Sequence, residues 1–173
     1  MKRCLLFVPI ILLILLFSCS LFGPSEPTLS DEEHAILSVV LDSMMVNRTT
    51  TTIDVYDMTS TGTSASVLHI AFERDSIEVP SSLLSNYSSA NRQRYELVMD
   101  KLPDYVMLKD TDEAEPYSGY YSFTRPGISE DGETAIVEYS FMSAPLAGAG
   151  YAVLLEKHVG EWVVIWRDMM WIS

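Results

Sequence analysis

The stretch that decides the fold is Thr134–Ser173, TAIVEYSFMSAPLAGAGYAVLLEKHVGEWVVIWRDMMWIS. It holds all three tryptophans and alternates with a period of two, the signature of strands. Val137, Tyr139 and Phe141 fall on one face of a first strand, Glu138 and Ser140 on the other. In a second strand Tyr151, Val153 and Leu155 oppose Ala152, Leu154 and Glu156. In a third, Trp162, Val164 and Trp166 oppose Val163, Ile165 and Arg167. His158-Val159-Gly160 is short enough for a hairpin connection, and Gly160 is free to take a positive φ. The stretch therefore predicts an antiparallel meander, whose apolar face needs a cover to keep it from aggregating.

Upstream, Ser30-Asp31-Glu32-Glu33 spells a capping box, with acids placed at the positive end of a helix. Leu37, Val40, Leu41 and Met44, broadened by Ile36 and Met45, form the apolar stripe of a helix running to about residue 47. This amphipathic helix is the expected cover. The fold class expected is α+β: a single domain over residues 30–173, an antiparallel sheet ending in the C-terminal meander and covered by the N-terminal helix. His34 falls in the first turn of that helix and reads as exposed; Ser38, four residues on, gives it no partner as a metal ligand.

Between helix and meander the signals are weaker. Thr49–Asp57 is β-branched and alternating and predicts a strand; Ser66–Phe72, with His69 among apolar residues, predicts another. Pro80–Leu102 predicts a helix from Pro80 or Ser81, a turn near Asn91, and then a helical or extended piece. Tyr105–Leu108 reads as a short strand. Asp110–Glu115, DTDEAE, supplies carboxylates, but Ala114 and Glu115 stand where an EF-hand loop needs a ligand and a glycine, so it reads as a solvated loop with no metal. Tyr120–Ile128 opens the final sheet region, interrupted at Pro126-Gly127, and Asp131-Gly132 supplies a turn.

The N-terminus carries the most specific motif. Met1-Lys2-Arg3 is a basic start, and Leu5–Phe17 is an apolar run of secretory length, too short for an ordinary membrane span. Leu16-Phe17-Ser18-Cys19 resembles the lipobox of bacterial lipoproteins. That resemblance implies a signal peptide over residues 1–18, a lipidated (palmitate-bearing) Cys19 as first mature residue, and a cell-envelope location anchored in a membrane. Residues 19–29, with a glycine and two prolines, read as a flexible tether. The only other cysteine, Cys4, lies in the leader, so the mature chain has no pair for a disulfide.

Composition narrows function. With 48% hydrophobic and 20% charged residues the chain can build a core. A net charge of −13, with two of the eleven basic residues in the leader, argues against nucleic acid and against a polybasic membrane patch, leaving the acyl chains as the expected membrane contact. No Gly-x-Ser-x-Gly elbow, Cys-x-x-Cys pair, His-Glu-x-x-His helix or phosphate-binding loop occurs, and no cofactor is implied. The expectation is a lipid-anchored extracytoplasmic domain that binds a protein or small molecule without catalysis; the alternative is an envelope hydrolase using carboxylates, His69 or Ser143. Arg125, beside the Pro126-Gly127 interruption, and the loop with Ser143, Gly148, Gly150 and Tyr151 are the candidate binding residues. The other reading of them is internal ion pairing for Arg125 and simple chain turning for the glycines.

Two segments carry a broader resemblance. Phe123-Thr124-Arg125-Pro126-Gly127-Ile128 with Glu130-Asp131-Gly132 and Ala135–Tyr139 is one. Pro145–Tyr151 through Leu154-Leu155-Glu156-Lys157, Gly160–Val163 and the ending Trp171-Ile172-Ser173 is the other. Together they resemble a group of uncharacterised secreted or lipid-anchored bacterial proteins. The resemblance implies an architecture over about the last fifty residues and no mechanism. Where some of that group carry cysteine in the Gly-rich loop, this chain has Ser143 and Ala144.

Overall fold

The capping box forms: Ser30 Oγ accepts from the Glu33 N–H (3.3 Å) and the Glu33 carboxylate accepts from the Ser30 N–H (2.8 Å). It starts helix α1, Asp31–Met45. The computed structural model describes residues 27–46, 49–115 and 117–173; the leader, Cys19 and most of the tether lie outside the described residues. The elements after α1 are β1 (Ile53–Tyr56), α2 (Ala65–Asp75), α3 (Ser81–Ala90), a 3₁₀ turn (Met99–Lys101), β2 (Val106–Lys109), β3 (Tyr121–Phe123), β4 (Gly127–Ile128), β5 (Thr134–Ala144), β6 (Ala147–His158) and β7 (Glu161–Ile172).

The strands form one sheet in the order β2-β1-β3-β5-β6-β7, with β4 also paired to β5. The meander β5-β6-β7 is antiparallel, and β3 joins it antiparallel. The rest departs from the antiparallel expectation: β1 runs parallel to both β2 and β3, so the sheet of this α+β chain is mixed. The physical reason lies in the connections. About fifty residues holding α2, α3 and the 3₁₀ turn separate β1 from β2, and a connection of that length can return the chain to start a parallel neighbour, which a tight turn cannot.

Both faces of the sheet are buried, against two separate cores. Ala135, Val137 and Tyr139 of β5 and Val153 and Leu155 of β6 share a core with Ile36, Leu37, Val40, Leu41 and Met44 of α1. Ile136, Ala152 and Leu154 share a second core with Leu68 and Phe72 of α2 and Leu83 and Tyr87 of α3. The strict alternation of β5 and β6 thus sorts residues between two interiors, not between core and water.

Three expectations are corrected here. Ser66–Phe72 is helix, not strand. Leu68, Ala71 and Phe72 are buried at i, i+3 and i+4 while Val67 and Ile70 are exposed. Its end is a Schellman motif, in which Ile77 N–H bonds Phe72 C=O and Ser76 N–H bonds Glu73 C=O, with Ile77 packed on the Phe72 core. Ser76 holds the left-handed position (φ 56°) in place of the usual glycine, which hid the stop signal. Second, Trp162, Val164 and Trp166 do not share a face. A register shift after Val164 moves Trp166 to the α2 side while Trp162 and Val164 stay in the α1 core. Third, His34 is buried: its Nε2 accepts the Val98 N–H (3.0 Å), so Nδ1 carries the proton and donates to Ser30 C=O (2.8 Å). It ties the start of α1 to the segment before the 3₁₀ turn. Pro27–Leu29 also lies against that segment, where Pro27 C=O accepts the Glu96 N–H and Leu29 enters the core.

The β6–β7 hairpin turns through Val159 (φ 54°) and Gly160 (φ 85°), the paired positive φ of a type I′ turn. Gly127 marks the close approach of α3 to β4: a Cβ there would sit 2.4 Å from the Tyr87 Cα.

Candidate functional site

On the α2/α3 side the second core stops short of one end of the sheet. Past Ile136, the next residues of β5 on this face are Glu138 and Ser140, and their neighbours form two rows across the strands. One row is Ser122, Ser140, Gly150 and Trp171, from the register of β3, β5, β6 and β7. The adjoining row is Thr124, Glu138, Ala152 and Asp168. The chain leaving β1 closes the far side. Ser60 donates its N–H to Phe123 C=O (2.7 Å) and carries Thr61, Gly62 and Thr63 over the face. The result is a cleft of about 270 Å³ lined by Ser60, Thr61, Gly62, Thr63, Ser122, Thr124, Glu138, Ser140 and Trp171.

Glu138 is the buried charge of this region, 8% exposed. Its Oε1 accepts from Tyr87 Oη (2.7 Å) and the Thr63 N–H (3.0 Å); its Oε2 accepts from Thr63 Oγ1. Such an arrangement satisfies a buried carboxylate without a cation. Burial, then the charge of Glu138, pushes the Tyr87 hydroxyl well above the usual tyrosine range, so it stays a donor. Glu138 therefore positions the 60–63 loop against α3 and fixes one wall of the cleft. Along the floor, Ser122 Oγ lies 3.1 Å from Ser140 Oγ and 3.4 Å from Ser60 Oγ. Two bonds among three hydroxyls leave a proton and several lone pairs for a ligand. Trp171, 39% exposed, supplies the aromatic wall. Its indole lies over Gly150, where a Cβ would fall 2.0 Å from Nε1.

The residues singled out from sequence are dispersed. Gly150 underlies the cleft wall. Tyr151, one residue on, points to the α1 side and stacks on Tyr139 (5.0 Å between centroids, 19° between planes). The expected loop is mostly strand, because β5 and β6 pair almost to their ends: Ser143 lies near the end of β5 and donates to Ala147 C=O (3.2 Å), Gly148 lies in β6, as do Gly150 and Tyr151, and a Cβ on Gly148 would collide with Met142 Sδ. Arg125 lies elsewhere. Phe123 pairs with Tyr139, so Arg125 is level with residue 137, about six residues short of Ser143; at about 3.3 Å per residue that is about 20 Å. Arg125 Nε donates to Glu33 Oε1 (2.5 Å), its guanidinium lies 4.0 Å over the Tyr95 ring, and Asn91 bonds its backbone on both sides. Burial alone would raise the Glu33 carboxyl. The Ser30 N–H, the Arg125 guanidinium and the Ser30 hydroxyl outweigh it and hold Glu33 below the usual carboxylate range.

Histidines lie apart from the cleft: His69 is on the exposed side of α2, 3.2 Å from Glu73, and His158 is 3.4 Å from Glu156. In the acidic run, Asp110 accepts from the Asp112 and Glu113 N–H groups. Among the described residues no three His, Cys, Asp or Glu side chains are grouped to hold a metal, and no helix is long and apolar enough to cross a membrane. Sequence reasoning missed Glu138, Ser122 and Ser140. The available signal was a carboxylate inside TAIVEYSF, on the face whose previous residue, Ile136, is apolar. No family model, curated protein or solved structure matches the chain.

Proposed function

We propose that this chain is a non-enzymatic binding domain of the cell envelope, outside the cytoplasm and held to a membrane by lipid on Cys19, and that the cleft beside Glu138 takes a small polar ligand. The cleft is the observation that carries the binding reading: a concave site with hydroxyls converging on it, an aromatic wall, and a loop wall fixed by a buried carboxylate. The hydrolase alternative has weaker support. Ser143 bonds a backbone carbonyl in the β5–β6 turn region and His69 pairs with Glu73 on α2, so neither activates the other. The carboxylate oxygens of Glu138 are taken by donors and hold structure. We read α1 as the cover of the meander's apolar face, a role supported by the core they share.

The anchor is supported by Leu16-Phe17-Ser18-Cys19 following a basic start and a short apolar run. Two or three acyl chains, at about 0.8 kcal/mol per buried methylene, would hold the protein stably in a bilayer. Mass spectrometry of the native N-terminal peptide is expected to find Cys19 first and acylated; an unmodified Cys19, or a mature start elsewhere, removes the anchor from the proposal. Ligand-observed NMR against a fragment library tests the cleft. Binding that is unaffected when Ser140→Gln fills the trough would place the site elsewhere.

A further inference from the structure

We infer that the ligand of this cleft is a neutral sugar, bound with one pyranose ring against Trp171 and its hydroxyls on the Ser122–Ser140 row; the inference rests on the binding reading above. Four observations select this class. The first is size: about 270 Å³ falls just below the about 300–1,000 Å³ usual for ligand pockets, room for one ring rather than a polymer segment buried along its length. The second is polarity: the floor is built from neutral hydroxyls, which donate and accept, and so match a ligand that carries many hydroxyls of its own. The third is the wall. The negative π face of an indole attracts the polarised C–H bonds on the apolar side of a pyranose, and the missing side chain at Gly150 makes room for the Trp171 indole beside the hydroxyl row. The fourth is charge. Among the described residues no lysine or arginine lines the cleft, Glu138 lies in its wall, and the chain carries −13 overall. Phosphorylated ligands, uronic acids and free amino acids each bring an anionic group that would lie there uncompensated.

Glu138 acts as a positioning residue. It holds Thr63, Gly62 and thereby Thr61 and Ser60 at a fixed distance from the serine row, so the ring meets a formed slot and little ordering is required on binding.

The test uses the full chain in a non-glycosidic detergent, with saturation-transfer NMR on four probes: methyl β-glucopyranoside, N-acetylglucosamine, glucuronate and adenine. Binding of one or both neutral sugars, strongest at ring C–H protons, is expected, with no signal from glucuronate. Trp171→Ala is expected to weaken sugar binding at least ten-fold, while Tyr117→Ala, at an exposed residue that does not line the cleft, leaves it unchanged. Ser140→Gln checks the same point from the floor if Trp171→Ala alters the melting curve. Neutral-sugar binding that survives both cleft variants overturns the inference. A Trp171-dependent signal from adenine alone overturns the sugar class and leaves the cleft as a binding site. If neither these probes nor a fragment library gives a signal sensitive to Trp171 or Ser140, the inference and the binding reading fall together.

Discussion

The two faces of the sheet are made by the same strands and end differently. On the α1 side the apolar residues of β5 continue without a break through Val137 and Tyr139 to Phe141, and β6 matches them with Val153 and Tyr151. On the α2/α3 side the last wholly apolar row of β5 and β6 is Ile136 with Leu154; the next row sets Glu138 beside Ala152, and the one after holds Ser122, Ser140 and Gly150. Burial stabilises in proportion to apolar area, so the first face carries stability along its whole length. The second gives up that area at one end and fills it with hydroxyls and a carboxylate that needs three donor groups to be tolerated. A fold seeking stability alone would continue Val or Ile along that row. The polar end is where the molecule departs from what packing requires.

Substitutions on each face test this contrast. Leu155→Ala empties a fully buried site on the α1 face and is expected to cost about 2–5 kcal/mol in a denaturant melt. Glu138→Ala leaves the Tyr87 hydroxyl and the Thr63 N–H without their acceptor. The buried Tyr87 hydroxyl costs about 1–3 kcal/mol when stranded, whereas Thr63 is only part-buried and can turn its donors to water; a loss well above that of Leu155→Ala would reverse the ranking of the two faces. Glu33→Gln separates a charge effect from packing. Because the folded carboxyl of Glu33 is depressed below its ordinary 4.5, its contribution is complete above that pH and is lost as pH falls through the lower folded value. The stability gap between parent and Glu33→Gln should therefore be constant near neutrality and close on acidification; a gap that persists to the acid end would assign Glu33 to packing. Ser140→Ala is expected to change stability by less than about 0.5 kcal/mol while weakening ligand binding. A large loss in its melt would make the serine row a structural network.

How much of this was legible differs by element. Ser30–Glu33 predicted the start of α1 because a capping box is satisfied within four residues, and the stripe Leu37, Val40, Leu41, Met44 is buried. Asn91 does end α3, and Val159-Gly160 does turn the hairpin, since both depend on local backbone geometry. Ser66–Phe72 was misread because a short apolar run fits strand and helix alike, and the cap that settles it uses Ser76 where glycine would have been visible. Of the cleft, only Gly150 was within reach; Ser122, Ser140 and Trp171 stand about twenty to thirty residues apart in the chain and become neighbours only through strand register.

Sequence by itself determined the alternation of β5 and β6, the capped helix before them, the turns at Gly132 and at Val159-Gly160, the acidic balance and the lipobox-like start, because each is specified within a few residues of itself. Tertiary structure alone decided that both faces of the sheet are buried, that β1 runs parallel to its neighbours, and that register shifts in β7 turn Trp166 away from Trp162 and bring Trp171 over Gly150. Those outcomes depend on where distant strands pair. Period two assigns a residue to a side of its strand; what lies on that side, whether water, helix or ligand, is settled only when the rest of the chain is in place.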